Sequence, residues 1–307
     1  MTCSDNFRLA PALTEMQVHQ FWTSPDPHVP PYVTWSVTTL RRHHAHVLWT
    51  FNDRLDQLPP GTEVRRADDF MPRAEFDALV AACDGQLSDH QKRAVASDVV
   101  RVRLLRHLQA QGADAVAYVD ADVLGVRPLP VPAETAIFTC NPAKRTGSMA
   151  SKRRELADVA TTDVPYADDA ACFREITGHE HFSNSVWMLR LRHPAVRAFL
   201  ERLAIELLDV RKYNQAMHIA NRLRREHRLG SVLPFALVHP LPWFNVARCC
   251  KAGSDAGFTT YGARTPAAAA ILQHAYTVEI YGSKVDLAVL TNVPSDSMMG
   301  HLIKRIT

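Results

Sequence analysis

The chain has 307 residues, of which 47% are hydrophobic and 22% charged, and its formal net charge is +3. These proportions are typical of a folded globular protein and exclude a disordered, collagen-like or coiled-coil chain. A charge balance this close to zero also argues against a nucleic-acid-binding protein, because such proteins concentrate basic residues on one face.

The first predicted elements are a strand, a helix and a second strand. The apolar run at residues 18–22 ends before Pro25 and Pro27, which cannot continue a sheet ladder. A helix is predicted around residues 33–40, and a strand over residues 46–50. This order is typical of α/β folds, and since no Gly/Ser-rich or Pro-rich linker divides the chain, we expect one body.

A long helix is predicted to begin after Ser88 and to end before Gly112. Ser88 and Gln91 have the spacing of a capping box, in which each side chain satisfies a backbone N–H of the other. Apolar residues at helical spacing form one arc: Val95, Val99, Val102, Leu105 and Leu108. Asp98 and Arg101 project into this arc, so we expect both to be shielded from solvent. They are either a functional pair or a purely structural ion pair.

The strongest candidate site follows a short apolar run at residues 115–120, which is typical of a strand buried in a parallel sheet. The run ends in Asp120 and, one residue further, Asp122. Ligands of open α/β sheets bind beyond the carboxyl ends of strands. Two carboxylates this close repel each other unless positive charge lies beside them, and a divalent cation is a suitable partner. Taken alone, the pair is also compatible with a solvated turn, since a DxD sequence is frequent by chance.

Further elements are predicted in the second half of the chain. They are strands at residues 135–139 and 276–281, and amphipathic helices at residues 194–211 and 214–230. Glu279 lies opposite the face of the last strand that carries Val278 and Ile280. The polar, basic stretch at residues 142–165 is either solvated or forms a lip over a site.

Together these motifs resemble the sugar-binding region of DXD glycosyltransferases of the GT-A fold. That group includes family 32 transferases, capsular polysaccharide synthesis proteins and glucosylating toxins. The motif here reads Ser97-Asp98-x-x-Arg101, a helix, a Gly turn, Tyr118-x-Asp120-x-Asp122 and Pro128-Leu129. Residues 18–22, 182–186 and 277–283 are similar to further family segments in the same order. The segment before Tyr118 is longer than the family's usual Gly-Gly-x-Tyr.

The resemblance implies an α/β fold with a GT-A-like, Rossmann-like mixed sheet flanked by helices. It implies a single domain over residues 1–307 with helical additions. The nucleotide-sugar half is expected at about residues 15–140, and the acceptor or closing half at about residues 141–290.

A metal site is also implied by the resemblance. Asp122, helped by Asp120, would hold Mn²⁺ or Mg²⁺ against the diphosphate of a nucleotide sugar. Glu279 and Ser283 would complete the coordination. Many relatives have His where this chain has Glu279, and His274 lies nearby, so the late ligand is either Glu279 or His274.

The resemblance assigns the donor to a second set of residues. Asp98 and Arg101 would bind the donor sugar, which accounts for charged groups on an apolar helix face. Trp22, or alternatively Phe21, would stack on the nucleotide base, although each is equally compatible with an ordinary core aromatic. Asn184 would lie near the transferred sugar.

The implied reaction is retaining transfer from a nucleotide sugar, a UDP-sugar being the first expectation. The acceptor would be a saccharide or glycolipid of surface polysaccharide synthesis, or alternatively a protein. A haloacid dehalogenase-type phosphatase also has DxD after a strand, but this chain has Leu124 where that family has Thr or Val. An inactive saccharide-binding protein is the third alternative.

A cytoplasmic location is expected from three sequence features. There is no apolar run of transmembrane length, the first residues lack the pattern of a signal peptide, and the six cysteines form no CxxC pair. The basic residues between positions 144 and 154 leave open a peripheral contact with the inner face of the membrane.

Overall fold

The computed structural model describes residues 16–140, 182–213, 215–233, 240–241, 243–254, 259–260, 263–264, 268–280 and 285–307. The strands are β1 (Gln17–Phe21), β2 (His46–Thr50), β3 (Glu63–Arg66), β4 (Ala115–Val119), β5 (Val123–Gly125), β6 (Ala136–Cys140), β7 (Phe182–Arg190), β8 (Ser231–Leu233), β9 (Thr259–Thr260), β10 (Ala263–Arg264) and β11 (Thr277–Glu279). The helices are α1 (Pro31–Arg41), α2 (Arg73–Ala82), α3 (Asp89–Ala110), α4 (Pro194–Glu206), α5 (Gln215–Glu226), α6 (Trp243–Cys249), α7 (Ala268–His274), α8 (Leu287–Thr291) and α9 (Met298–Ile306).

The main sheet has seven strands in the order β3-β2-β1-β4-β7-β6-β8. Six of them run in the same direction, and β7 alone is antiparallel to its two neighbours, β4 and β6. The start of β7 therefore lies at the same edge as the carboxyl ends of β1 and β4. A separate antiparallel pair joins β5 to β11. The predicted α/β class with a mixed sheet is confirmed.

Helices cover both faces of the main sheet. Tyr118 of β4 and Trp187 of β7 belong to the hydrophobic cluster that α2, α3, α4 and α5 form on one face. Their neighbours Val119 and Val186 pack on the opposite face together with Leu40 of α1. Strands covered on both sides read as continuous apolar runs, which is why β4 was recognisable from the sequence. A third cluster joins α1 to β5, β11 and the helices α6, α7, α8 and α9.

Local sequence signals explain where several elements begin and end. The capping box at the start of α3 is confirmed, since the Ser88 hydroxyl accepts from the Gln91 N–H and the Gln91 side chain accepts from the Ser88 N–H. Pro31 and Pro194 occupy the first turns of α1 and α4, where a missing N–H removes no hydrogen bond. Gly230 has a φ of +63°, and a Cβ there would collide with the Ala136 carbonyl, so the turn before β8 requires glycine.

The structure also differs from the sequence-based expectations. The helix predicted over residues 194–211 ends at Glu206 and continues as a 3₁₀ turn, Leu207–Asp209. The short strand β5 was not predicted, because three residues are too few to show a periodicity. Asn214, where the helix predicted over residues 214–230 begins, and the basic stretch at residues 142–165 lie outside the described residues. Cys249 and Cys250 are buried.

Within the described ranges, no helix combines the length and the apolar character that crossing a bilayer requires.

Candidate functional site

The two predicted carboxylates lie on the connection between β4 and β5, which we call the acidic turn (residues 120–123). The Val123 N–H donates to the Asp120 carbonyl at 3.2 Å and closes the turn. The Asp120 N–H donates to the Ser185 carbonyl of β7 at 2.7 Å, and the Ile280 N–H donates to the Asp122 carbonyl at 2.8 Å. Backbone groups from three parts of the chain therefore converge on one turn at the carboxyl edge of the sheet.

Arg101 joins the acidic turn to α3. Its Nη1 donates to Asp98 Oδ1 and its Nη2 to Asp120 Oδ1, both at 2.7 Å. The guanidinium carbon lies 4.6 Å from the Tyr118 ring centroid and 5.3 Å from that of Trp187. The burial expected for the charged pair is confirmed, since Asp98 is 9% and Arg101 3% exposed. The Arg101 Nε–H has no hydrogen-bond acceptor within the described residues.

The pKa values of Arg101 and Asp120 are shifted by their burial and by the charges that lie close to them. Burial alone disfavours the charged form of Arg101, but Asp120, Tyr118 and Asp98 more than offset it and raise its pKa above the usual value. Burial raises the pKa of Asp120; Arg101 opposes that shift, while Glu279 and Asp98 add to it. The Asp120 side chain remains 30% exposed. The group is therefore rich in carboxylates, with one guanidinium to balance them and one carboxylate reaching solvent.

Glu279 lies beside the acidic turn because β11 pairs with β5. The register places Glu279 opposite Val123 and Thr277 opposite Gly125. His274 precedes the strand at its other end, where its carbonyl accepts from Arg127. Of the two candidates for the late ligand, Glu279 is thus the one next to Asp122. Ser283 lies outside the described residues.

The carboxylates offer the hard oxygen donors that Mn²⁺ and Mg²⁺ bind, but no group of three or more metal-ligating side chains is preformed in the described part of the chain. Asp120 already has one oxygen bound to Arg101. Asp122 and Glu279 supply further carboxylates beside it. This arrangement fits a cation held by one or two carboxylates that takes its other ligands from substrate phosphates and water.

The two aromatic candidates at the end of β1 have different surroundings. Phe21 is 5% exposed and packs edge-on against Phe51 and Phe76, with ring centroids 5.7 and 5.8 Å away. Its ring faces belong to the core, so the structure does not place Phe21 where a base could stack. Trp22 is only partly buried and packs against the hydrophobic cluster that contains Tyr32.

Tyr32 links that aromatic side chain to the acidic turn. Burial raises the pKa of Tyr32, the nearby charge of Asp122 raises it further, and the neighbouring Trp22 acts in the opposite sense. The base-stacking candidate and the cation candidate are thus neighbours of the same phenol. Sequence reasoning missed Tyr32, which carries no signal beyond its position at the start of a helix.

Asn184 is placed only by its backbone. Since Val119 pairs with Val186 and the Asp120 N–H donates to Ser185, the Asn184 backbone continues β7 along the edge beyond Asp120. Its side chain is outside the described part of the structure. Trp187, also missed by sequence reasoning, reaches Arg101 through the same strand pairing.

Comparison with known proteins gives fold similarity alone. No family model matches the chain, and no curated protein matches it. Among solved structures it is similar to the apo form of the bifunctional glycosyltransferase WbbM, at 13% identity and a TM-score of 0.44, over 97% of this chain and 53% of that one. It is also similar to the apo form of mouse xyloside xylosyltransferase 1, at 11% identity and a TM-score of 0.44, over 88% of this chain and 99% of that one. The chain spans about half the length of the WbbM structure.

Both of these solved structures are of glycosyltransferases.

Proposed function

We propose that the chain is a metal-dependent, retaining glycosyltransferase that transfers a sugar from a nucleotide-sugar donor, a UDP-sugar first of all. The observation that carries this proposal is the buried Arg101 guanidinium that joins Asp98 to Asp120 at the acidic turn. A buried ion pair is weak evidence of a stabilising role, since apolar replacements are often as stable. A group of this kind at the carboxyl edge of a sheet supports a polar ligand there.

In this proposal, different residues around the turn bind different parts of the nucleotide-sugar donor. Asp98 and Arg101 bind the hydroxyl groups of the sugar, because carboxylates accept and the guanidinium donates in fixed directions. Trp22 stacks on the base, beside the cluster that contains Tyr32. Asn184 lies near the transferred sugar.

Asp122 and Glu279 would hold Mn²⁺ or Mg²⁺ together with the diphosphate, with Ser283 as a further ligand. When bound, the cation supplies the Lewis acid that stabilises negative charge on the departing diphosphate. Asp120 keeps Arg101 oriented through its bound oxygen. No general base is assigned, since a retaining transfer does not need one on the opposite face of the sugar.

The acceptor in this proposal is a saccharide or glycolipid of surface polysaccharide synthesis. The enzyme would act in the cytoplasm, in peripheral contact with the inner face of the membrane through the basic residues between positions 144 and 154. Purified glycolipid and soluble oligosaccharide acceptors, offered with the same labelled donor, distinguish the two acceptor classes.

Asp122→Ala tests the proposed metal site. We expect Mn²⁺ to be required for hydrolysis or transfer of a nucleotide sugar, and the variant to lose roughly 10²–10³-fold in rate, the scale of one lost element of transition-state stabilisation. Thermal-shift screening of UDP- and GDP-sugars with Mn²⁺ identifies the donor beforehand. The measurement is release of labelled sugar with and without chelator.

Asp114→Ala is the matched control. Asp114 precedes the same strand at its opposite end and is paired on the surface with Arg190. Its removal should leave the rate unchanged. Full activity in excess chelator, or in Asp122→Ala, would exclude the metal assignment. Hydrolysis of phosphate esters without stabilisation by any nucleotide sugar would favour the phosphatase alternative.

A further inference from the structure

Two buried side chains contact the backbone of the acidic turn. Neither has a role in the proposed function. Gln20 of β1 and Ser36 of α1 are both fully buried. The Gln20 Nε2 donates to the Asp120 carbonyl at 3.0 Å, and the Ser36 hydroxyl donates to the Val123 carbonyl at 2.5 Å. The first and last carbonyls of the turn are therefore each bound by a side chain from another element.

The two side chains are also bound to each other and to His46 of β2. The Gln20 Nε2 donates to the Ser36 hydroxyl at 2.7 Å, and His46 Nε2 lies 2.8 Å from Gln20 Oε1. Both N–H groups of the amide are used, so its oxygen must accept and His46 Nε2 must carry the proton. We call these three residues the Gln20 chain. Its hydrogen bonds all point towards the turn, from His46 through Gln20 and Ser36 to Val123.

This arrangement fixes the amide of Gln20 in one orientation. Exchanging its oxygen and nitrogen would set the oxygen against the Asp120 carbonyl, so that two acceptors would face each other. In a site with no exposure to water, that mismatch would leave a buried carbonyl without a donor. The Gln20 chain is therefore a directed support and not an interchangeable polar filler.

We propose that Gln20 and Ser36 are positioning residues that hold the acidic turn, and with it the carboxylates of Asp120 and Asp122, in the geometry needed for the ligand. This inference rests on the proposed function for the identity of that ligand, while the support of the turn itself does not. Residues that orient metal-binding side chains from outside the coordination sphere typically change affinity or activity by about 10- to 100-fold when removed.

The test compares Gln20→Leu and Ser36→Ala with the wild-type chain of 307 residues in two measurements. The first is amide hydrogen exchange at Val123 and Ile280, whose N–H groups donate to carbonyls of the turn. We expect exchange there to rise roughly tenfold, the effect of losing one buried hydrogen bond. The second is the Kd for UDP in the presence of Mn²⁺, which we expect to rise about 10- to 100-fold.

Thr38→Ala is the matched control, since Thr38 lies on the same helix and its hydroxyl donates to the Thr34 carbonyl within that helix. It should change neither measurement. Ser36→Ala removes one oxygen atom only, and it keeps the test decisive if Gln20→Leu does not fold.

Unchanged exchange at the acidic turn in folded Ser36→Ala would overturn the proposal, and so would a rise spread evenly over the whole sheet. If the wild-type chain does not bind UDP with Mn²⁺, the proposed function fails, and hydrogen exchange still decides whether the turn is supported by these residues.

Discussion

Two buried polar networks meet at the acidic turn, one charged and one neutral. In the charged network Arg101 joins Asp98 to Asp120, and one of its members, Asp120, still reaches solvent. In the neutral Gln20 chain every donor of Gln20 and Ser36 is used inside the protein. The charged network therefore has a carboxylate that a ligand can reach, whereas the neutral network only supports the backbone of the turn.

The difference also has an energetic side. Removing a guanidinium and two carboxylates from water costs several kcal/mol per ion, which their mutual attraction repays only in good geometry. The neutral chain removes no charge from water, and Gln20 and Ser36 replace their bonds to water with bonds inside the protein, although His46 Nδ1 has no hydrogen-bond partner within the described residues. Mutations should therefore affect the two networks in different ways, in the order of size given below.

The largest effect is expected for Arg101→Met. The change leaves Asp98 and Asp120 without the guanidinium that balances them, and breaking a buried charge pair costs about 3–5 kcal/mol. We expect that loss in the free energy of unfolding, measured by urea denaturation at pH 7, together with loss of nucleotide-sugar binding. Arg101→Lys keeps the charge but not the planar fork, and it should recover part of the stability and little of the binding. A loss below about 1 kcal/mol in Arg101→Met would show that the charges are not effectively buried.

A smaller, pH-dependent effect is expected for the neutral network. Burial, with help from Arg41 and His44, lowers the pKa of His46 to about 3. Below its ordinary pKa of about 6.5 the unfolded chain binds a proton there that the folded chain does not, so stability is lost as pH falls. For one histidine this amounts to about 2 kcal/mol between pH 7.5 and 5.

His46→Gln keeps an N–H for Gln20 and removes the titration, so its stability should fall by about 2 kcal/mol less than that of the wild type over the same pH range. Unfolding in urea at the two pH values measures this. His19, whose pKa is also lowered to about 3, retains its own contribution in both proteins. Identical pH dependence in variant and wild type would mean that His46 is protonated in the folded state.

The smallest effect on the free energy of unfolding is expected for Arg222, an exposed arginine that also bridges two carboxylates. Arg222 bridges Glu206 and Glu226 in the same way, but its side chain is 45% exposed. Arg222→Ala should therefore change the free energy of unfolding by about 0–1 kcal/mol, and less at high salt. A loss as large as that of Arg101→Met would remove burial as the reason for the difference between the two arginines.

Much of the fold followed from local patterns. The capping box of α3, the buried strand β4 and the placement of Asp98 and Arg101 on an apolar face could be predicted because each depends on residues a few positions apart. β5 and the end of α4 could not be, since a three-residue strand has no period and the helix end is not marked by glycine or proline. The single-domain organisation, the metal ligands and the donor contacts remain predictions.

By itself, the sequence determined which residues carry chemistry: Asp98, Arg101, Asp120 and Asp122 stand out because charge interrupts an apolar pattern. Only the tertiary structure decided how they are used. It paired Arg101 with Asp120, brought Glu279 rather than His274 to the turn through the β5–β11 register, assigned Phe21 to the core, and set Gln20 and Ser36 beneath the carboxylates. The physical reason is that strand pairing and register join residues far apart in the chain, and no local period records which strands will meet.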